Sequence, residues 1–218
     1  LFTQDIAGMT TASAVACLDW TPVESVDRPT LGIPDDVLER ATPAAVAVFR
    51  EQVDTLRNAG FAVRRADAFE DLAAVDDWHR ALTRWEVAQV HEWFDDHRAH
   101  YRQTTAAAII DGRDVTECEY EDAQASRTAV QATVHARMDD ADVDLWITPA
   151  APGTAPRGLA ETGSSDMNRP WTFAGLPALT VPTGRIGGLP VGLQLVSERS
   201  EDEQLLAWAD AIAKALDV

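Results

Sequence analysis

The chain alternates between two spacings of hydrophobic residues, one typical of strands and one typical of helices. Short apolar runs bounded by Gly or Pro predict strands over residues 30–34 and 61–63. Between them, Thr42 followed by proline predicts a helix N-terminus, and Gly60 predicts the end of that helix. The hydrophobic residues of this helix recur every three or four positions: Val46, Phe49, Val53 and Leu56. A strand–helix–strand unit of this kind predicts two parallel strands with a helix packed over them.

Three further strands are predicted in the second half of the chain, over residues 144–149, 178–182 and 191–196. Residues 183–190 contain three glycines and a proline, and they predict a tight turn between the last two strands. The segment 150–170 is rich in Gly, Pro, Ser and Thr, and so long a loop in a compact domain is usually functional or disordered. Strands that alternate with helices predict an α/β fold with a mixed, largely parallel sheet flanked by helices.

The remaining helices are predicted from their starts and from one apolar stripe. Residues 66–101 are predicted to be helical, and their stripe is interpreted as a packing face. The residues of the stripe are Leu72, Val75, Trp78, Leu82 and Trp85. Thr116 and Glu119 have the spacing of a capping box, which predicts a helix that begins there. Ser200 and Glu203 have the same spacing and predict the start of the last helix.

The 218 residues carry a net charge of −18, from 36 acidic and 18 basic side chains. Because such a field repels phosphate backbones, nucleic-acid binding is not expected. Lys214 is the single lysine, so arginine supplies almost all of the positive charge. Two explanations stay open: a halophilic source, in which salt screens the repulsion between acidic groups, and a GC-rich coding bias.

The hydrophobic content of 46% is sufficient for a folded core. No apolar run approaches the ~20 residues that a membrane-spanning helix needs, so no membrane association is expected. Cys17 and Cys118 lie far apart and form no redox or metal motif, which predicts two reduced thiols in a cytoplasmic protein. The chain begins with Leu1, which predicts a fragment, a processed product or a trimmed chain.

Two groups of residues have chemically suggestive spacings and are interpreted as structural. His91 with Asp95, and Asp96 with His100, are spaced one helical turn apart, a spacing that can chelate a metal. A solvated acidic helix face explains them better, and no metal site is predicted. Gly163-Ser164-Ser165 lies in a loop rich in such residues and lacks a basic partner, so no nucleophile is predicted there.

Residues 168–196 read NRPWTFAGLPALTVPTGRIGGLPVGLQLV. This block resembles the C-terminal block of the amidase-signature hydrolases, in which a strand to Val-Pro and a glycine turn precede G-L-P-V-G-L-Q-L. Residues 5–9, 111–127 and 142–149 resemble further family motifs in the same order along the chain. The resemblance implies that residues 1–218 are the C-terminal portion of a single amidase domain. Residues 66–107 match no motif and are expected to be a variable helical insertion.

The family hydrolyses amides with a Ser–Ser–Lys arrangement, in which a lysine deprotonates a bridging serine that activates the nucleophilic serine. The resemblance implies that all three residues lie upstream of Leu1. The single lysine, Lys214, is predicted to be a solvated residue near the end of the last helix. We therefore expect no catalytic residue in this chain, no activity from this chain alone, and no cofactor, since the family chemistry needs none.

The resemblance implies that this half contributes to substrate selection. The candidate substrate-binding residues are Asn168, Trp171 and Thr172, which lie at the exit of the 150–172 loop. Asn168 and Thr172 either hydrogen-bond a substrate or cap a turn of the chain. Trp171 either faces an acyl group or packs in the core.

The predicted function is the C-terminal portion of an amidase that hydrolyses linear amides. The expected partners are a small-molecule amide and the catalytic N-terminal half of the same enzyme, or a second subunit; a homodimer stays open. One alternative is a glutamine amidotransferase A-type subunit, although Glu119-Tyr120-Glu121 replaces the tyrosine-rich motif of that branch. The other alternative is a non-catalytic scaffold or binding protein with the same fold.

Overall fold

The computed structural model describes residues 1–23 and 27–218. The strands of these segments are β1 (Leu31–Pro34), β2 (Val63–Ala66), β3 (Leu145–Pro149), β4 (Ala178–Ile186) and β5 (Leu189–Val196). They form a five-stranded mixed sheet in the order β2-β1-β3-β5-β4. Strand β1 pairs in parallel with β2 and β3, whereas β5 pairs antiparallel with β3 and β4. The predicted α/β fold with a mixed sheet is confirmed, but the sheet is not largely parallel, because two of the four strand pairings in the described segments are antiparallel. Strand β3 lies at the junction between the two parts.

The helices of the described segments are α1 (Ile6–Ala16), α2 (Asp35–Leu38), α3 (Pro43–Asn58), α4 (Leu72–Val90), α5 (Phe94–His97), α6 (Gln103–Asp114), α7 (Glu117–Ala141), α8 (Arg169–Ala174) and α9 (Asp202–Ala215). A short 3-10 helix, Arg98–His100, follows α5. The α3 helix begins as predicted, because the Thr42 hydroxyl accepts a hydrogen bond from the Ala45 amide. None of the described helices is both long and apolar enough to cross a membrane.

Helices cover both faces of the sheet. Neighbouring residues of the middle strand, β3, point to opposite sides and therefore pack against different helices. Leu145 and Ile147 pack in one cluster of buried side chains, to which α3 and α9 also contribute. Trp146, between them, packs in a second cluster with residues of α4, α7 and α8. All five residues of β3, the middle strand of the sheet, are buried.

The second strand lies two to three residues later than predicted, over Val63–Ala66 instead of 61–63. Phe61 is buried, but it packs in the core ahead of the strand with the Arg28 guanidinium over its ring. Arg64 and Arg65 of β2 pair with Asp142 and Asp35. Strand β2 lies at the edge of the sheet, where two charged side chains are tolerated when distant residues of the chain supply their partners. The hydrophobic pattern alone therefore misplaced this strand.

The turn predicted over residues 183–190 is wrong in extent, because β4 and β5 continue through most of that segment. Only Gly187 and Gly188 form the turn, and both have positive φ, 57° and 86°. Positive φ at both central positions is what a type I′ two-residue hairpin turn requires, and glycine adopts it without strain. A register shift between Pro182 and Gly184 accommodates the proline in the ladder.

One of the two predicted capping boxes is confirmed and the other is wrong. Thr116 and Glu119 exchange side-chain and backbone hydrogen bonds at the start of α7. Ser200 instead has a left-handed φ of 66°, and α9 begins after Glu201 without a side-chain cap. An N-cap residue normally has an extended backbone, so Ser200 cannot take that role. The Glu203 carboxylate instead accepts a hydrogen bond from the Thr21 amide.

Helix α4 is the centre of the segment between β2 and α7, and it packs against α6, α7 and α8. The approach of α6 is very close at Gly112, where an added Cβ would lie 1.9 Å from the backbone oxygen of Arg84. Any side chain at this position would force the two helices apart. The assignment of residues 66–107 as a variable insertion in a single domain stays a prediction.

We expect Gly112→Ala to destabilise the protein, although alanine is the better helix former by about 1 kcal/mol. Forcing an extra carbon into a packed contact costs about 1–3 kcal/mol, and here the contact is with backbone atoms. The measurement is the free energy of unfolding in urea. Thr105→Ala, an exposed position of the same helix, is the matched control and should be neutral or slightly stabilising. A Gly112→Ala protein as stable as this control would contradict the close contact.

Candidate functional site

The loop between β3 and α8 spans residues 150–168 and ends in a helix that the sequence patterns did not predict. Helix α8 is only six residues long, with proline in its first turn and Gly175 in a left-handed conformation at its C-terminal cap. Proline favours a helix start and glycine favours this cap, so both ends are encoded locally. All three predicted substrate-binding residues lie on α8 or at its N-terminal cap.

Trp171 is fully buried, and its ring centroid lies 5.0 Å from that of Phe69 in a tilted arrangement. Phe173, also buried, stacks with Trp78 of α4 at 6.1 Å. Aromatic pairs at these separations contribute packing energy beyond their buried area. The two aromatic residues of α8 therefore anchor this short helix in the second core cluster.

Asn168 is partly buried and takes part in a chain of side-chain hydrogen bonds. Its Nδ2 donates to the Ala150 backbone oxygen at 3.3 Å, and its Oδ1 accepts from Nε2 of Gln194. The Gln194 Oε1 in turn accepts from the hydroxyl of Thr148 at 3.1 Å. Because Thr148 and Gln194 are buried on β3 and β5, this chain fixes the start of α8 to the centre of the sheet.

Thr172 is exposed, in contrast to its neighbours on α8. Next to it in the chain, the last carbonyl oxygens of the helix are paired with side chains of α7. Arg127 Nε donates to the Phe173 oxygen at 3.0 Å, and Gln131 Nε2 donates to the Ala174 oxygen at 3.1 Å. Helix α8 is thus held at both ends, and Thr172 combines a fixed backbone with an exposed side chain.

A partly buried ionic cluster connects α8 with the preceding loop and with α4. Both nitrogens of the Arg40 fork contact the Asp76 carboxylate, at 3.2 and 2.7 Å, and Nη1 also donates to the Asp166 backbone oxygen. Arg169 lies 3.1 Å from Asp76 and 2.6 Å from the Asp166 carboxylate. The Asp166 carboxylate has a lowered pKa. The largest cause is a side-chain hydrogen bond with Ser164, and the charges of Arg169 and Arg40 add to it.

The 150–168 loop also lines a cleft of about 680 Å³ together with α3 and the β4–β5 hairpin. The polar residues of its lining include Thr42, Gln52, Thr154, Thr162 and Ser164. Gln52 is buried and donates to the Thr183 hydroxyl at 2.6 Å. The lining of this cleft does not include Asn168, Trp171 or Thr172. The sequence patterns missed Gln52 because its partner lies 131 positions further along the chain.

Lys214 lies on α9, where its Nζ pairs with the Asp210 carboxylate at 2.6 Å and three-quarters of the side chain is exposed. Ser164 and Ser165 are exposed in the loop, and the Ser164 hydroxyl accepts a hydrogen bond from the Asp166 amide at 3.1 Å. Of the residues considered for metal binding, His91 contacts the Tyr101 hydroxyl at 2.9 Å, and Asp95 pairs with Arg113 at 3.0 Å. These side chains thus have local partners of their own.

Comparison with known proteins settles the family. The model of the family described as Amidase matches residues 4–206. This chain belongs to the amidase family. A crystal structure described as that of an amidase has 27% sequence identity and a TM-score of 0.86, and the match covers 96% of this chain and 51% of that one.

Two curated relatives are named as the A subunit of glutamyl-tRNA(Gln) amidotransferase. The protein from Methylocella silvestris is 30% identical over 219 residues, covering 85% of this chain and 44% of the relative. The protein from Synechococcus sp. (strain WH7803) is 39% identical over 107 residues, covering 45% of this chain and 22% of the relative. Fatty acid amide hydrolase shares the fold with a TM-score of 0.74 at 19% identity, and the match covers 91% of this chain and 42% of that one. This amidase-family chain spans less than half of the length of these three proteins.

The hydrogen-bond chain from Thr148 to Asn168 predicts a measurable cost for Thr148→Val. The substitution preserves shape but leaves the buried Gln194 oxygen without its donor, which costs about 1–3 kcal/mol. The measurement is the free energy of unfolding in urea. Thr180→Val, at an exposed position paired with Gln194 on the adjacent strand, is the control and should change stability little. Equal stability of the two variants would contradict the role given to the Thr148 hydroxyl.

His79 of α4 gives the amidase-family chain a pH-dependent contribution to its stability. Burial, followed by the nearby Arg169 charge, lowers the pKa of His79. The unfolded chain therefore takes up this proton first, so stability begins to fall as the pH drops below about 6.5 and continues to fall until the folded chain is protonated as well. We expect His79→Gln to weaken the fall in stability between neutral and mildly acidic pH. Identical pH dependence of the variant and the parent protein would contradict this assignment.

Proposed function

We propose that this chain is the C-terminal portion of an amidase that hydrolyses the carbon–nitrogen bonds of linear amides. The observation that carries the proposal is the family match over residues 4–206, combined with a fold match that covers about half of a solved amidase. The catalytic Ser–Ser–Lys residues are proposed to lie outside these 218 residues. In support, the single lysine pairs with an aspartate on the exposed side of α9.

The role proposed for this portion is to form one wall of the substrate pocket. Helix α8 suits this role because its ends are fixed by hydrogen bonds and its aromatic residues are anchored in the core. Thr172 is the exposed residue of the three candidates and is proposed to contact the substrate. Asn168 and Trp171 are proposed to hold it in place, Asn168 through Gln194 and Trp171 through its buried ring.

The catalytic half is proposed to pack against the free edge of β4. In the described sheet β4 pairs on one side only, with β5, so its other edge presents unpaired backbone groups. A largely apolar hollow of about 510 Å³ lies beside this edge, between the N-terminal segment, β4 and α9. A solved amidase about twice the length of the matched segment supports a partner of comparable size.

A glutamine amidotransferase A-type subunit is the second candidate. Two curated relatives carry that name, and one feature of the surface also favours it. A hollow of about 410 Å³ beside the end of α8 is lined by Arg127 and Arg199 together with Gln124 and Gln131. Guanidinium groups pair well with carboxylates, and glutamine carries a carboxylate that a simple linear amide lacks. A non-catalytic scaffold with the same fold is the third candidate.

The first experiment is native and denaturing mass spectrometry of the protein purified from its source, followed by amide hydrolysis assays. We expect these residues to be found with a catalytic half, either in one polypeptide or in a complex, and to release ammonia or amine from linear amides. Activity restricted to glutamine would support the amidotransferase instead. A 23.7 kDa chain alone, folded and inactive on every amide, would contradict the enzyme proposal.

The substrate-wall role is tested in the active, complete protein with Thr172→Val across a series of amides of different acyl groups. Loss of one hydrogen bond to the substrate corresponds to a change in kcat/KM of about tenfold, and it should differ between substrates. Thr55→Val, at an exposed position of α3, is the control and should leave kcat/KM unchanged. If Thr172→Val leaves the ratios of kcat/KM between substrates unchanged, Thr172 does not contact the substrate.

A further inference from the structure

A cluster of metal-ligand side chains lies where the end of α7 meets the connection between β5 and α9. His135 and Asp139 are one helical turn apart on α7, and Glu198 follows β5 by two residues. We call these three residues the His135 cluster. Each offers one ligand atom, and these atoms all lie within 4.8 Å of one another.

The separations within the His135 cluster are close to those of a metal site. His135 Nδ1 lies 2.7 Å from the Glu198 carboxylate, and the other ring nitrogen, Nε2, lies 3.6 Å from the Asp139 carboxylate. Only one of the two nitrogens can bind a given ion, so the ring must turn on metal binding. Atoms that bind one zinc ion at about 2.0–2.2 Å must lie within about 4 Å of each other. More than half of the His135 and Asp139 side chains is exposed, so small rotations of χ angles can bring the three atoms around a common centre.

The charge around the cluster favours a cation. Two further carboxylates, those of Glu201 and Asp144, interact with the same group of charges. Asp139 lies in the last turn of α7, where the helix dipole adds partial negative charge. The nearby guanidinium of Arg199 is directed to the Gln131 oxygen, at 3.4 Å. Three carboxylates, those of Asp139, Glu198 and Glu201, thus lie near one imidazole, and a divalent ion would reduce their mutual repulsion.

The identity of the ligands selects among metals. Imidazole nitrogen is a good ligand for zinc, cobalt, nickel and copper, whereas magnesium and calcium prefer all-oxygen sites. An imidazole with two carboxylates leaves at least one position for water in a four-coordinate zinc site. The residues come from a helix and from a loop that are 59 positions apart in the chain, counted from Asp139 to Glu198, so a bound ion would cross-link them.

We infer that His135, Asp139 and Glu198 bind one divalent transition-metal ion, zinc by ligand preference, which joins the end of α7 to the β5–α9 connection. An ion that binds the folded chain and not the unfolded one stabilises the fold by mass action. The site joins two elements next to α8, since α7 contacts that helix and Arg199, which follows Glu198, lines the hollow at the end of α8.

The test is isothermal titration of the complete, metal-free protein with zinc chloride, together with thermal unfolding with and without the ion. We expect saturable binding of one ion by this cluster and a higher unfolding temperature in its presence. His135→Ala, Asp139→Asn and Glu198→Gln should each weaken binding at least about tenfold, the loss that removing a supporting group of a metal site typically causes. Cobalt chloride, with its visible absorption, reports directly on coordination by the imidazole.

Another histidine–carboxylate pair provides the control. Asp96 and His100 are also four residues apart and exposed, but they have no third ligand in the described chain. Asp96→Asn and His100→Ala should leave the affinity for zinc unchanged. The inference is overturned if no zinc binds above the buffer blank, or if the control variants weaken binding as much as His135→Ala. Circular dichroism of each variant separates loss of the site from loss of the fold. If His135→Ala unfolds the chain, Glu198→Gln remains as a test, because it preserves the shape of the side chain.

Discussion

The hydroxyl of Thr148 is fully buried at the centre of the sheet, so it must find its hydrogen-bond partner within the protein. That partner is Gln194 of the antiparallel neighbour, which is equally buried and passes the interaction on to Asn168. Each member of this chain satisfies another, and removing any one would leave a buried polar atom without a partner. The polar chain therefore fixes the register of β3 and β5 and the position of α8 at the same time.

The rest of the candidate site depends on that position. Helix α8 is too short to be stable by itself, since isolated helices of this length do not form in water. It exists because Asn168 is held by the sheet, its aromatic residues enter a preformed core, and its last carbonyls are paired with Arg127 and Gln131. A surface residue such as Thr172 is thereby held rigidly without contacting the core itself. This is the arrangement that a substrate-contacting residue needs.

The features that could be predicted from the sequence are those with a local cause. The Thr116 capping box and the start of α3 at Thr42 depend on residues three positions apart, and both formed as expected. Ser200 shows the limit of this reasoning, because its left-handed backbone conformation decides the outcome and the residue spacing does not reveal it. Strand β2 was misplaced for a related reason: its two arginines are satisfied by Asp35 and Asp142, which are distant in the chain.

The candidate site was predictable as a segment but not as a set of contacts. The resemblance identified Asn168, Trp171 and Thr172 as a group, yet nothing in their spacing distinguishes the exposed threonine from the buried tryptophan. Short helices have no periodicity long enough to reveal a face. The interactions that distinguish them come from residues 26 to 102 positions away, Gln194 for Asn168 and Phe69 for Trp171.

Neither salt adaptation nor coding bias explains why arginine, and not lysine, occupies certain partly buried positions of this chain. Arg40 bonds both oxygens of Asp76 and two backbone carbonyls at once, which uses the planar fork of the guanidinium. A lysine ammonium is a point charge and cannot match that geometry. The same holds for Arg169, which lies between two carboxylates in a partly buried place where salt screens little. At these positions the chemistry of the contact requires arginine whatever the source, whereas on the exposed surface, as at Arg57 and Arg80, lysine would serve equally well.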